Sequence, residues 1–125
     1  MQARHLYELL DTAGNGKALR EAIAPAMPAY RRGLAEGGQP APVDVECDGA
    51  LLVIAVPHLV VLCEAYLAKQ LDEVELGYIA RTLELAPDFR FVTDEIGEFA
   101  FLLANGTPST EAVGAVLRLL RERAA

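Results

Sequence analysis

A mainly α-helical fold of the α+β class, a compact bundle of about five helices with one short β-hairpin near residues 43–56, is what this sequence predicts. Three observations carry that expectation. Apolar residues recur at helical spacing over most of the chain. Helix-start signals stand before the successive apolar stripes, the best of them at Asp72–Glu75. The one strict apolar/polar alternation, Val43-Asp44-Val45-Glu46-Cys47, leads through Asp48-Gly49 into the apolar run Ala50–Val56.

Taken in order, residues 3 to 11 read as a short helix with Leu6, Leu9 and Leu10 on its apolar side, closed by Thr12-Ala13-Gly14-Asn15-Gly16. A second helical stretch runs from about Lys17 to Leu34, kinked or divided by Pro25 and Pro28, with Leu19, Ile23, Met27 and Tyr30 inward and Arg31 and Arg32 near its C-terminal end. Residues 37–42 (GGQPAP) form a loop. The hairpin at 43–56 follows, with a rival in which the buried helix already begins at Gly49. Pro57 suits the first turn of a central helix whose apolar positions, Leu59, Val60, Leu62, Cys63, Tyr66 and Leu67, cover most of its circumference. Asp72 and Glu75 make a capping box for the next helix, with Leu71 and Leu76 as a hydrophobic staple and Val74, Tyr78, Ile79 and Leu83 as its core stripe. Ala86-Pro87 ends it, and Asp88–Val92 is extended, with Phe89 and Phe91 on one side and the option of a third strand. Thr93 or Asp94 caps a helix lined by Ile96, Phe99, Ala100 and Leu103, which Asn105-Gly106 closes. Thr107-Pro108 opens the last helix, with Val113, Val116, Leu117 and Leu120 inward and Arg118, Arg121 and Arg123 toward its C-terminal end.

The 125 residues make a single domain, 1–125, large enough to bury a core without staples. At 53% hydrophobic, the chain is too apolar for disorder. The net charge of −7 argues against direct contact with nucleic acid, whose phosphates require lysine and arginine, and against anionic membrane surfaces. It permits a basic protein partner. The acids are concentrated: Val43 to Glu98 holds twelve against three bases, a local balance of −9. A field of that kind steers a cationic partner, although it also serves as an ordinary solubilising surface. Two cysteines give no disulfide framework, the N-terminus lacks the pattern of a signal peptide, and the apolar run from Ala50 to Ala68 is interrupted by Pro57, His58 and Glu64 before it could span a bilayer. A cytoplasmic location is the expectation.

Candidate chemistry is sparse. Asp11 to Gly16 is similar to the start of a calcium loop, but Ala13 and Ala22 stand where oxygen ligands belong. Gly14-Asn15-Gly16-Lys17 is similar to a phosphate loop, but Ala18 replaces the magnesium-binding hydroxyl and a helix, not a strand, precedes it. Cys47, His58 and Cys63 match no zinc spacing, and Cys63 lies among apolar residues where a thiol is inert. No catalytic residue, metal site or cofactor is expected. Asn105-Gly106-Thr107 fits a glycosylation sequon without other signs of secretion.

The stretch from His58 to Asn105, with LVVLCEAYLAKQLDEVELGYIARTLEL, then DFRF, then TDEIGEFAFLLANGTPS, resembles small acidic bacterial immunity proteins of polymorphic and contact-dependent toxin systems. Gly106-Thr107 departs from the proline usual after the asparagine, and the first 42 residues lie outside the resemblance. It implies a non-enzymatic, stoichiometric inhibitor that neutralises a cognate toxin domain. Many such domains act on nucleic acids and are basic for that reason, so an acidic face is the natural contact. The acids that lead two consecutive helices, Asp72, Glu73, Glu75, Asp94, Glu95 and Glu98, are the expected partner-binding residues, with Tyr66 or Tyr78 as aromatic anchors if core packing does not claim them. The alternatives are an acidic helical adaptor or secretion chaperone, and a small enzyme using Cys47, His58 or the carboxylates.

Overall fold

The chain is described by a computed structural model covering residues 1–37, 43, 45–105 and 108–124. Seven α-helices and one small sheet appear among these residues: α1 (Ala3–Leu10), α2 (Gly16–Ile23), a single 3₁₀ turn (Ala24–Ala26), α3 (Met27–Gly37), β1 (Leu52–Ile54), α4 (Val56–Leu67), α5 (Glu73–Leu85), β2 (Phe89–Phe91), α6 (Asp94–Asn105) and α7 (Thr110–Ala124). The class is mainly α with a small β component, as the periodicity predicts; the described residues hold seven helices rather than about five, one of the additions arising because the proline-bearing stretch divides into α2 and α3. Pro25 lies in the 3₁₀ turn between α2 and α3, where the missing N–H breaks the α-helical ladder.

One core runs through the molecule. α4 is its centre, with Leu59, Leu62 and Cys63 fully buried, and α7 packs chiefly along it through Val113, Leu117 and Leu120. α5 packs on α6 through Leu76, Ile79 and Leu83 against Ile96, Phe99 and Leu103. A short connection joins these two helices, and Gly77 near the start of α5 faces the Ala104 carbonyl near the end of α6, so the pair runs antiparallel. α1, α2 and α3 close the remaining side with Leu6, Leu10, Leu19, Ile23, Met27 and Tyr30. The Tyr30 ring meets the buried Tyr78 edge to face, with centroids 5.0 Å apart.

The expected hairpin near residues 43–56 does not form. β1 pairs instead with β2, in parallel, in the register Leu52–Phe89, Val53–Arg90, Ile54–Phe91. Parallel strands require a crossover, and α4 and α5 supply it. Two facts explain the failure. A type I′ turn needs positive φ at both central residues, and of Asp48 and Gly49 only Gly49, at φ 82°, has it. The N–H groups of Asp48 and Gly49 donate to the carboxylate of the buried Asp88, at 2.9 and 3.1 Å, which aims this bend at β2. Glu46 turns to the chain start: its N–H donates to the Met1 carbonyl and its carbonyl accepts from Ala3, at 2.7 and 2.8 Å. Asp44, within the expected first strand, lies outside the described residues. The rival helix from Gly49 also fails, because Leu52–Ile54 is extended and α4 begins at Val56.

The helix ends follow local chemistry. Asp72 and Glu75 form the complete capping box, each side chain accepting the other residue's N–H at 2.8 Å, and Leu71 and Leu76 are both buried. α4 has no capping side chain at Ala55; His58 Nδ1 accepts the Ala55 N–H at 3.0 Å, the part usually played by Glu or Gln. α4 closes in a Schellman motif, with Lys69 N–H donating to Tyr66 and Gln70 N–H to Ala65, and Lys69 takes the left-handed conformation at φ 63°. α7 is capped by Ser109, whose Oγ accepts the Ala112 N–H at 3.1 Å, two residues beyond the expected Thr107. Thr107 and Gly106, and with them the expected closure of α6, fall outside the described residues.

Candidate functional site

The six carboxylates expected to form one partner-binding patch are divided by the fold. α5 is 13 residues long, about 20 Å at helical rise, and runs antiparallel to α6, so the two acid-rich helix starts lie at opposite ends of the pair.

At the α5 start most of the charge is paired within the chain. Glu75 is only 5% exposed and receives a forked contact from the Arg20 guanidinium, at 2.9 to 3.1 Å, in addition to the Asp72 N–H. Asp72 accepts from Arg31 at 2.6 Å. Burial works against its ionisation, but the Glu75 amide and the Arg31 guanidinium outweigh it and hold its carboxyl below the usual range. These two acids fasten α2 and α3 onto α5. Asp72 and Glu73 are both exposed there, and of the three acids Glu73 alone makes no ion pair among the described residues.

The α6 start is arranged differently. Thr93 caps it, with Oγ1 accepting the Ile96 N–H at 3.3 Å. Glu95 is taken by the Arg123 guanidinium at 2.8 and 3.1 Å, which holds its carboxyl low and ties the end of α7 to the start of α6. The same guanidinium lies 5.6 Å from the Phe99 ring centroid. Asp94 and Glu98 are exposed and unpaired among the described residues. Together with Glu84 they rim a surface depression of about 490 Å3 whose apolar wall is Phe91 and Phe101. Phe101 is 55% exposed. Gly97 lets α6 approach β2 here, since a Cβ at that position would sit 3.1 Å from the Phe91 ring. Glu84 accepts one long contact, 3.4 Å, from Asn105, and partial burial raises its pKa despite that contact.

The other candidates resolve into structure. Tyr78 is buried in the core and Tyr66 is partly buried against it. His58 is buried; its Nδ1 accepts the Ala55 N–H, so the proton sits on Nε2, which donates to Asp11 at 3.0 Å, and the ring lies tilted against Tyr7 with centroids 4.8 Å apart. Tyr7 in turn donates its hydroxyl to the Val53 carbonyl at 3.0 Å, so this cluster clips α1 to β1 and α4. Cys47 is exposed, while Cys63 is buried and its thiol is pushed up to about 12 by that burial, with the neighbouring Glu64 adding to it. Among the described residues no three His, Cys, Asp or Glu side chains gather as a metal would require, and no helix is long and apolar enough to cross a membrane.

Phe101 is the residue sequence reasoning passed over. Its signal was available: the α6 stripe of Ile96, Phe99, Ala100 and Leu103 leaves Phe101 and Leu102 off the core face, and both are more than half exposed. Arg20 and Arg31 were equally unmarked as the partners of Glu75 and Asp72. No known family model matches the chain, and neither a curated protein nor a solved structure matches it.

Proposed function

We propose that the chain is an immunity protein: a non-enzymatic, cytoplasmic, stoichiometric inhibitor that binds a basic toxin domain through its acidic surface. The observation that carries this reading is the α6 start, where the unpaired Asp94 and Glu98 stand beside the half-exposed Phe101. An apolar anchor ringed by unopposed charge of one sign is the composition of a protein-binding patch, with the charge accelerating encounter and the ring supplying affinity. Asp72, Glu75 and Glu95 already have arginine partners within the chain, so the contact narrows to Asp94 and Glu98, with Glu73 as a remote contributor to the field.

The test is a pull-down with the tagged protein from its native host, with neighbouring reading frames co-expressed. One basic partner at equal stoichiometry, toxic when expressed alone, is the expected result. Glu98→Lys should then slow association several-fold at low salt with little change in stability; an unchanged association rate removes the acidic patch from the mechanism. Glu95→Lys should slow association as well, but it also breaks the Arg123 pair and is the less clean probe.

A second reading, an adaptor or secretion chaperone, is favoured by an apolar depression of about 340 Å3 between α6 and α7, lined by Leu102, Leu103, Pro108, Ala112, Val113 and Val116. It predicts a dimer in solution and capture of unfolded clients, whereas the immunity reading predicts a folded partner.

A further inference from the structure

The depression at the α6 start has a more specific chemistry than an acidic face. Its wall is two aromatic side chains, Phe91 and Phe101, and its rim is three carboxylates, Glu84, Asp94 and Glu98. Phenyl faces attract cations, and a planar guanidinium both stacks on a ring and forks its N–H donors onto carboxylates. A compact ammonium is more strongly hydrated and does neither as well. Gly97 lies against the Phe91 ring, and a Cβ at position 97 would press on that ring at 3.1 Å.

We infer that this depression is an arginine-binding site: the partner lays an arginine side chain, from a basic segment, against the Phe91 and Phe101 rings and pairs it with Glu84, Asp94 and Glu98. The inference deepens the partner-binding reading above and rests on it for the partner's basic character. Glu84 supports it separately: among the described residues its partly buried carboxylate has one long hydrogen bond, from Asn105, and the field of Arg81, which together do not offset its burial, and an arriving cation adds to them.

The experiment titrates the full-length, isotope-labelled protein with two short, end-blocked peptides of equal length and charge, one carrying arginines and one carrying lysines at the same positions, and follows backbone amide shifts. The expected result is shifts clustered on Asp94, Gly97, Glu98 and Phe101, with the arginine peptide bound about three-fold more tightly. Phe101→Ala, an exposed truncation that leaves the core intact, should abolish the preference for arginine. Glu98→Gln should weaken both peptides by about three-fold. Equal binding of the two peptides, with shifts spread over Glu73 and the other exposed acids, overturns the arginine site and leaves the acidic-surface reading standing. Failure of both peptides to bind at low salt overturns the site and the acidic contact together.

Discussion

Two acidic helix starts, at α5 and α6, look alike on paper and do opposite jobs. At α5, Asp72 and Glu75 satisfy backbone donors and receive Arg31 and Arg20 from the N-terminal helices, so their charge is paired within the chain. At α6, only Glu95 is claimed by an arginine, while Asp94 and Glu98 face solvent beside an exposed aromatic ring. The difference lies in whether an arginine distant in sequence folds back onto the carboxylate. An acid so claimed is part of the scaffold; one left unclaimed contributes to the external field.

The comparison is broken most directly at Glu75. Glu75→Ala should cost about 2–3 kcal/mol in urea unfolding, because it strips the forked Arg20 contact and leaves the Asp72 N–H unpaired. A loss below about 0.5 kcal/mol would make Glu75 no different from a surface acid. Asp72→Ala comes next, at about 1–2 kcal/mol for a lost N-cap and a partly exposed pair with Arg31. Asp72 also predicts a pH dependence. Its folded pKa is depressed, so the unfolded chain takes up the proton first as pH falls. The stabilisation is therefore full above the ordinary value of 3.8 and is lost as pH drops through the lower folded value. Asp72→Asn should remove that part of the acid-unfolding profile.

Lys69 sharpens the comparison from the other side, since it holds the turn that delivers α5. A lysine at φ 63° carries strain that glycine does not, and Lys69→Gly should stabilise the protein by about 0.5–1 kcal/mol in the same assay. Glu98→Gln is the smallest effect, within about 0.5 kcal/mol of wild type in stability, and so reports partner binding without a folding contribution. Thiol labelling gives a check on the integrity of each variant. Cys47 should react readily in the native protein, while Cys63, buried and pushed up to about 12, should react only on unfolding.

Much of the scaffold was legible because its signals are local. The Asp72–Glu75 box spans one helical turn, the Pro25 and Pro28 interruption acts through a single chain segment, and stripes such as Ile96, Phe99, Ala100 and Leu103 repeat at a fixed period. The hairpin expectation failed because its evidence was also local, whereas the decisive group, the Asp88 carboxylate, sits some forty positions along the chain from the amides it binds. The candidate site was half legible. Its acids were visible as residues, but their division into claimed and unclaimed depends on Arg20, Arg31 and Arg123, which approach from other helices. Phe101 carried a readable signal in its departure from the α6 stripe.

The parallel pairing of β1 with β2 also dictates an order of assembly. Leu52 faces Phe89 across 37 residues, so the strands meet only after the intervening chain has been gathered. The entropy of closing that loop must be met before any ladder bond forms, while each helix closes its own bonds within a turn. We expect the sheet to be a late event in folding. Truncating Ile54, fully buried in β1, should accelerate unfolding far more than it slows folding, whereas truncating Leu59 or Leu62 at the centre of α4 should slow folding itself.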